Sequence, residues 1–176
     1  ITLNESPIGV TFSGDGVVGN TFDPVASGLT AGGPYTIIFS YTDANGCDYT
    51  TNHNINLFAV PTADFTATPE ICADGSTAII TYIGTATTAA TYNWDFDGGI
   101  ATPIGNETYE VSWANGGNYT VSLDVTENGC QSAVSTQNVE AFEPLIPPTL
   151  SCGTTTTSSV TFNWTAVNDA VGYELT

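Results

Sequence analysis

The residues able to do chemistry in this chain are carboxylates, amides and thiols. Asp95 and Asp97 form an Asp-x-Asp-Gly string, and Asp43 with Asn45 makes a second short polar cluster. Hard cations such as Ca²⁺ take several oxygens from turns of this kind, so these four residues are the candidate metal ligands. An EF-type loop would add further ligands in register and a late Glu, and neither follows. The same Asp and Asn residues read as turn formers that bond their own backbone, which is the favoured reading. No cofactor is expected, Ca²⁺ being the one cation that the surplus of negative charge keeps open.

Cys72 and Cys130 stand near the start and near a late turn of one predicted module, and they are expected to form a disulfide between neighbouring strands. Closing a loop of that size would remove unfolded-state entropy worth roughly 4 kcal/mol. Cys47 and Cys152 are left over. Each lacks its partner within this sequence, or the two bond each other, or both stay reduced. Cysteines used this way fit an oxidising compartment.

Catalysis is not expected. His53 is the only histidine, which rules out a multi-His zinc site, and there is no Gly-x-Ser-x-Gly or Cys-x-x-Cys. Two carboxylates can hydrolyse glycosides, but with 18 acidic residues some pairs are close by accident. Trp94, Trp113 and Trp164 could stack on sugars if exposed. Alternation instead puts Trp164 on one face with Val160 and Phe162, and Trp113 with Tyr109 and Val111, which favours cores. Asn4-Glu5-Ser6, Asn106-Glu107-Thr108, Asn118-Tyr119-Thr120 and Asn163-Trp164-Thr165 match the glycosylation sequon, a pattern that has meaning only where the eukaryotic machinery is present.

Charge narrows the partners further. The chain has 176 residues, 18 of them Asp or Glu and 0 of them Lys or Arg, for a formal net charge of -18. Average composition would supply roughly 20 basic residues. Without them the chain cannot neutralise phosphates, which excludes DNA, RNA and anionic lipid head groups as direct partners. Trypsin-like proteases have no site to cut. Stability has to come from burial, backbone ladders and crosslinks, and 41% hydrophobic residues supply the cores. No apolar run approaches the roughly 20 residues of a membrane span, so direct membrane insertion is not expected.

The elements that carry these residues are strands. Tyr35, Ile37, Phe39 and Tyr41 alternate with polar or smaller neighbours, as do Tyr119, Val121, Leu123 and Val125, and again Val160, Phe162 and Trp164. Asn45-Gly46, Asn115-Gly116 and Asn128-Gly129 supply turn residues for tight hairpins. Helix signals are nearly absent. Gly33-Pro34-Tyr35-Thr36 leading to Asn45-Gly46-Cys47 repeats as Gly117-Asn118-Tyr119-Thr120 leading to Asn128-Gly129-Cys130, one structural position used twice. By this repeat, Cys47 would bond a cysteine preceding Ile1. The expected fold is all-β: tandem immunoglobulin-like β-sandwich modules at 1–60 (its N-terminal part missing) and 61–143, then a Pro-rich linker and an incomplete module at 144–176. The chain reads as a piece of a longer polypeptide.

Tyr92-Asn93-Trp94-Asp95-Phe96-Asp97-Gly98-Gly99 resembles the W-x-F-G-D-G turn of polycystic-kidney-disease (PKD) domains, with Asp97-Gly98-Gly99 standing where the family has Gly-Asp-Gly. Gly117-Asn118-Tyr119-Thr120-Val121-Ser122-Leu123 resembles that family's G-x-Y-x-V-x-L strand, and the likeness covers roughly residues 62–142. Phe12-Ser13-Gly14-Asp15-Gly16-Val17 and Thr21-Phe22-Asp23-Pro24 resemble an Ig-like repeat of Bacteroidota-type surface proteins. Val160-Thr161-Phe162-Asn163-Trp164-Thr165 and Gly172-Tyr173-Glu174 look like the second and third strands of a fibronectin type III domain. This order resembles type IX-secreted adhesins. It implies a non-catalytic structural or adhesive segment of an extracellular, cell-surface protein or filament, bacterial in origin. Its partners would be other modules of the same chain and a surface polysaccharide or protein ligand. Two alternatives are accessory modules of a secreted polysaccharide- or protein-degrading enzyme, and a self-assembling fibre subunit completed by strands of neighbouring chains.

Overall fold

The computed structural model describes residues 1–3 and 9–174, so the Asn4-Glu5-Ser6 sequon lies outside the described residues. Within them every regular element is a strand. The fold is all-β, built from immunoglobulin-like sheets in tandem.

The first region holds β1 (Thr11–Gly14), β2 (Val17–Val18), β3 (Thr21–Phe22), β4 (Gly32–Thr42) and β5 (Asp48–Leu57). β1, β4 and β5 form one antiparallel sheet in that order, and β2 and β3 a small ribbon beside it. The alternation read from Tyr35 to Tyr41 is the pleat of β4. Its inward residue Ile37 is 1% exposed, while Phe39 and Tyr41 are only half-buried. Phe12 meets Phe39 edge-on, with ring centroids 5.1 Å apart.

The central region is a closed sandwich. It comprises β6 (Phe65–Ala67), β7 (Glu70–Cys72), β8 (Ala78–Tyr82), β9 (Thr91–Asp95), β10 (Ile100–Gly105), β11 (Thr108–Ser112), β12 (Gly117–Glu127), β13 (Cys130–Gln131) and β14 (Ser135–Phe142). One sheet runs β10-β11-β8-β6; the other runs β13-β12-β14-β7, with β9 also on β12. All pairings are antiparallel except β14 with β7. Val121, Leu123 and Val125 from β12 meet Ala78 and Ile80 from β8 and Val111 from β11, each 0% exposed. Period-2 alternation places them there: every second residue turns toward the facing sheet.

Turn chemistry holds at Asn128-Gly129, where both residues have positive φ (51° and 78°), as a tight hairpin demands. Asn115-Gly116 departs from expectation. Neither residue lies in the left-handed region, because this segment crosses from β11 in one sheet to β12 in the other and closes no hairpin.

The C-terminal region is β15 (Leu150–Thr155) paired with β16 (Val160–Trp164), a sheet of two strands. The expected burial of Trp164 is not found: Val160, Phe162 and Trp164 are 53%, 48% and 44% exposed. They do share a face, but no second sheet covers it among the described residues. The strand expected to start at Gly172-Tyr173-Glu174 is also absent there. A strand forms only where a neighbour takes its backbone hydrogen bonds.

Candidate functional site

Three of the four candidate metal ligands, Asp43, Asp95 and Asp97, accept backbone amides, while Asn45 donates its side-chain amide to Asp43 Oδ2 at 3.4 Å. Asp43 Oδ1 accepts from the Asn45 and Cys47 amides, both at 2.8 Å. The Cys47 amide above all, with the Asn45 groups adding to it, holds the Asp43 carboxyl below its usual pKa and outweighs the opposing effect of desolvation. Asp95 Oδ1 accepts from the Asp97 amide at 2.9 Å. Asp97 Oδ2 in turn accepts from the Thr120 amide at 2.9 Å. Asp43 and Asp95 thus fold turns and Asp97 holds a distant strand, and among the described residues no three His, Cys, Asp or Glu side chains converge as a metal cluster would require. A similar turn forms at Asp74, where the Ser76 hydroxyl and then the Ser76 amide lower the carboxyl pKa.

The Asp97 bond belongs to a set that sequence inspection missed. In the first region Asp15 Oδ2 accepts from the Thr36 amide at 3.2 Å. The Thr36 hydroxyl donates to Asn54 Oδ1 at 3.0 Å, and the Thr120 hydroxyl to Asn138 Oδ1 at 3.1 Å, each spanning 18 residues. The Tyr35 hydroxyl donates to the Thr30 carbonyl at 2.8 Å, and the Tyr119 hydroxyl to the Asn115 carbonyl at 2.9 Å. An aspartate clamp, a threonine–asparagine bridge and a tyrosine corner therefore occur twice, in register. Gly14 is required by the first clamp: it has φ +112°, and a Cβ there would collide with the Thr36 carbonyl. The signal was present in Asp15-Gly16 and Asp97-Gly98, but only the hydrogen bonds tie those turns to the strands some 20 residues on.

The thiols do not pair as expected. Among the described residues Cys47, Cys72, Cys130 and Cys152 are all free. Cys130 is opposite Glu127 at one end of β12, on the edge strand β13. Cys72 is opposite Phe142, beyond the Ala141–Gly117 pair at the other end, on β7, which pairs with β14. β13 and β14 follow one another along the same side of β12, opposite β9, so the two sites are one strand spacing apart laterally but the whole length of β12 apart axially, on the order of 30 Å. A disulfide needs Cα atoms within about 7 Å. The linear order of the cysteines gave no hint that β7 hugs the far end of the last strand.

Two of the three tryptophans, Trp113 and Trp94, are held in the core of the central sandwich, and Trp164 is not. Trp113 is 4% exposed, stacks on Tyr119 at 4.9 Å and donates to the Phe96 carbonyl at 3.0 Å. Trp94 stacks on Phe96 at 5.6 Å, takes the edges of Phe65 and Tyr109, and donates to Glu107 Oε2 at 3.3 Å. The Tyr109 hydroxyl donates to the same carboxylate oxygen at 3.1 Å. Burial first, then that bond, raises the Tyr109 pKa. Trp164 borders an open cleft of about 280 Å³ with Pro148, Leu150, Tyr173 and Glu174, which brings no nucleophile and base together. His53 is exposed on β5, level with Ile37 of β4.

Residues 58–141 match the family model described as the PKD domain. PKD modules are typically extracellular and non-catalytic. The matched region shares the hydrogen bonds of its long strand pair with the first region. No curated protein shows significant sequence similarity to the chain. Among solved structures it is similar to protocadherin gamma B2 extracellular cadherin domains 3–6, with 10% sequence identity and a TM-score of 0.38. That likeness covers 80% of this chain and 42% of the other, so the chain spans about two fifths of that structure. No helix among the described residues is long and apolar enough to cross a membrane.

Proposed function

We propose that the chain is a non-catalytic structural or adhesive segment of a large surface protein or filament, with modules divided at 1–60, 61–143 and 144–176. The observation that carries this reading is the duplicated set of hydrogen bonds. The clamp, bridge and corner all serve to hold the long strand pair of a module rigid, and the carboxylates Asp15 and Asp97 are engaged in holding it. In this reading the bacterial, type IX-secreted setting follows from the order of modules. The partners are neighbouring modules of the same polypeptide and a neutral or cationic surface polysaccharide or protein, in keeping with the net charge of -18.

An antibody raised against residues 62–142 tests the reading on intact and on permeabilised cells. Labelling of intact cells, on fibres or the outer envelope, is the expected result. Labelling only after permeabilisation, or a parent polypeptide in which a hydrolase domain adjoins these modules, would overturn it in favour of an internal or an accessory enzyme role.

A further inference from the structure

The outer edges of β5 and β14 are the same edge in two copies. Thr36 faces Asn54 across β4 and β5 as Thr120 faces Asn138 across β12 and β14. Counting on from there sets Asn56, Leu57 and Phe58 level with Glu140, Ala141 and Phe142. In the central sandwich that edge is occupied: Glu70, Ile71 and Cys72 of β7 run parallel along it, opposite those three residues. The Glu140 amide donates to the Pro69 carbonyl and the Ala73 amide to the Phe142 carbonyl, both at 2.8 Å. The strand also closes the core, leaving Ile71 8% and Ala141 3% exposed.

The corresponding edge of β5 carries no strand among the described residues. Leu57 is only half-buried and Phe58 is 54% exposed. Apart from Asp48 at its start, β5 has no charged residue and no proline to discourage pairing. An unpaired edge of this kind accepts an added strand, with main-chain bonds giving affinity and alternate side chains giving selectivity.

We propose that the β5 edge at residues 56–58 is an acceptor site for a parallel strand with the chemistry of β7: a polar residue, an aliphatic residue turned into the core, then a cysteine. The Asn56 amide and the Phe58 carbonyl take the roles of the Glu140 amide and the Phe142 carbonyl, and the aliphatic residue lies beside Leu57. The register has a reporter. The Phe58 carbonyl is 4.0 Å from the Cys130 Sγ, so a cysteine set opposite Phe58 arrives next to Cys130. The site goes beyond the stalk reading above and is tested separately from it.

The test uses the intact chain and a synthetic peptide of residues 68–73, Thr-Pro-Glu-Ile-Cys-Ala, whose cysteine is held as a mixed disulfide with glutathione. The Cys130 thiolate attacks the peptide sulfur, the bond to glutathione breaks, and glutathione leaves as its thiolate, so one disulfide replaces another without net oxidation. Peptide mapping by mass spectrometry locates the label. Docking raises the local concentration of the peptide, so labelling at Cys130 should run about tenfold or more faster than at Cys47 and Cys152. The amides of residues 56–58 should gain protection from hydrogen exchange, also in Cys130→Ser, and a peptide with Ser in place of Ile should lose both effects. Equal labelling of all exposed thiols overturns the proposal. So does a concentration-dependent dimer that protects β5 without peptide, since the edge would then belong to a second copy.

Discussion

The first and the central regions follow the same instructions to different depths. β4 with β5 and β12 with β14 share the clamp, the bridge and the corner, at distances that agree within 0.3 Å for each pair of bonds. Yet Val121, Leu123 and Val125 are 0% exposed, whereas their counterparts Phe39 and Tyr41 remain half-buried and only Ile37 reaches 1%. The difference lies in what faces the strands. A second sheet of four strands faces the sheet of β12, whereas the first region has among the described residues only the two-stranded ribbon of β2 and β3 besides the sheet of β4. Hydrogen bonds within one strand pair and the turn beside it are sufficient to shape that pair; burial requires the partner sheet.

Paired substitutions test that distinction. Leu123→Ala should have the largest effect, about 3 kcal/mol in denaturant unfolding of the central sandwich, because it empties a fully enclosed site. Phe39→Ala, at the matching position, should cost roughly half of that or less despite the larger side chain, because water already reaches the ring. Equal costs would mean that β4 is as well covered as β12.

Next in size are the clamps. Asp97→Ala and Asp15→Ala each remove the acceptor for a strand amide, at about 1–2 kcal/mol apiece. The two values should be alike, because the bond is the same in both regions. Tyr119→Phe and Tyr35→Phe should cost about 1 kcal/mol each through loss of the corner hydrogen bond. Here Tyr119 should cost the more, since Phe is left stacked on Trp113 above a carbonyl without a donor. Amide hydrogen exchange at Thr36 and Thr120, and unfolding followed by tryptophan fluorescence, provide the readouts.

Acidification should act on both regions and only slightly. Asp43 in the first and Asp74 in the central region have lowered pKa values, so their folded-state bonds are intact at neutral pH. That stability is lost as pH falls through and below the ordinary carboxylate range. Asp43→Asn and Asp74→Asn should each flatten the acid limb of a stability-versus-pH curve. The smallest effect is expected from metal removal: excess EDTA should shift the melting temperature by about 1 °C or less, as the candidate ligands are engaged by amides. A large drop restored by Ca²⁺ would mean that these turns open to hold a cation.

Local order determined much of this protein. The alternation at Tyr35, Tyr119 and Val160 gave β4, β12 and β16, because strand side chains alternate whatever the surrounding fold. The turn at Asn128-Gly129 and the core position of Trp113 were equally legible, since each depends on near neighbours in the chain. Only the tertiary structure decided which strand edges meet. It set β7 parallel to the far end of β14, which parted Cys72 from Cys130, and it left Trp164 uncovered on a sheet of two strands. Pairing partners and covering sheets come from distant parts of the chain. Spacing along the sequence carries no record of their separation in space.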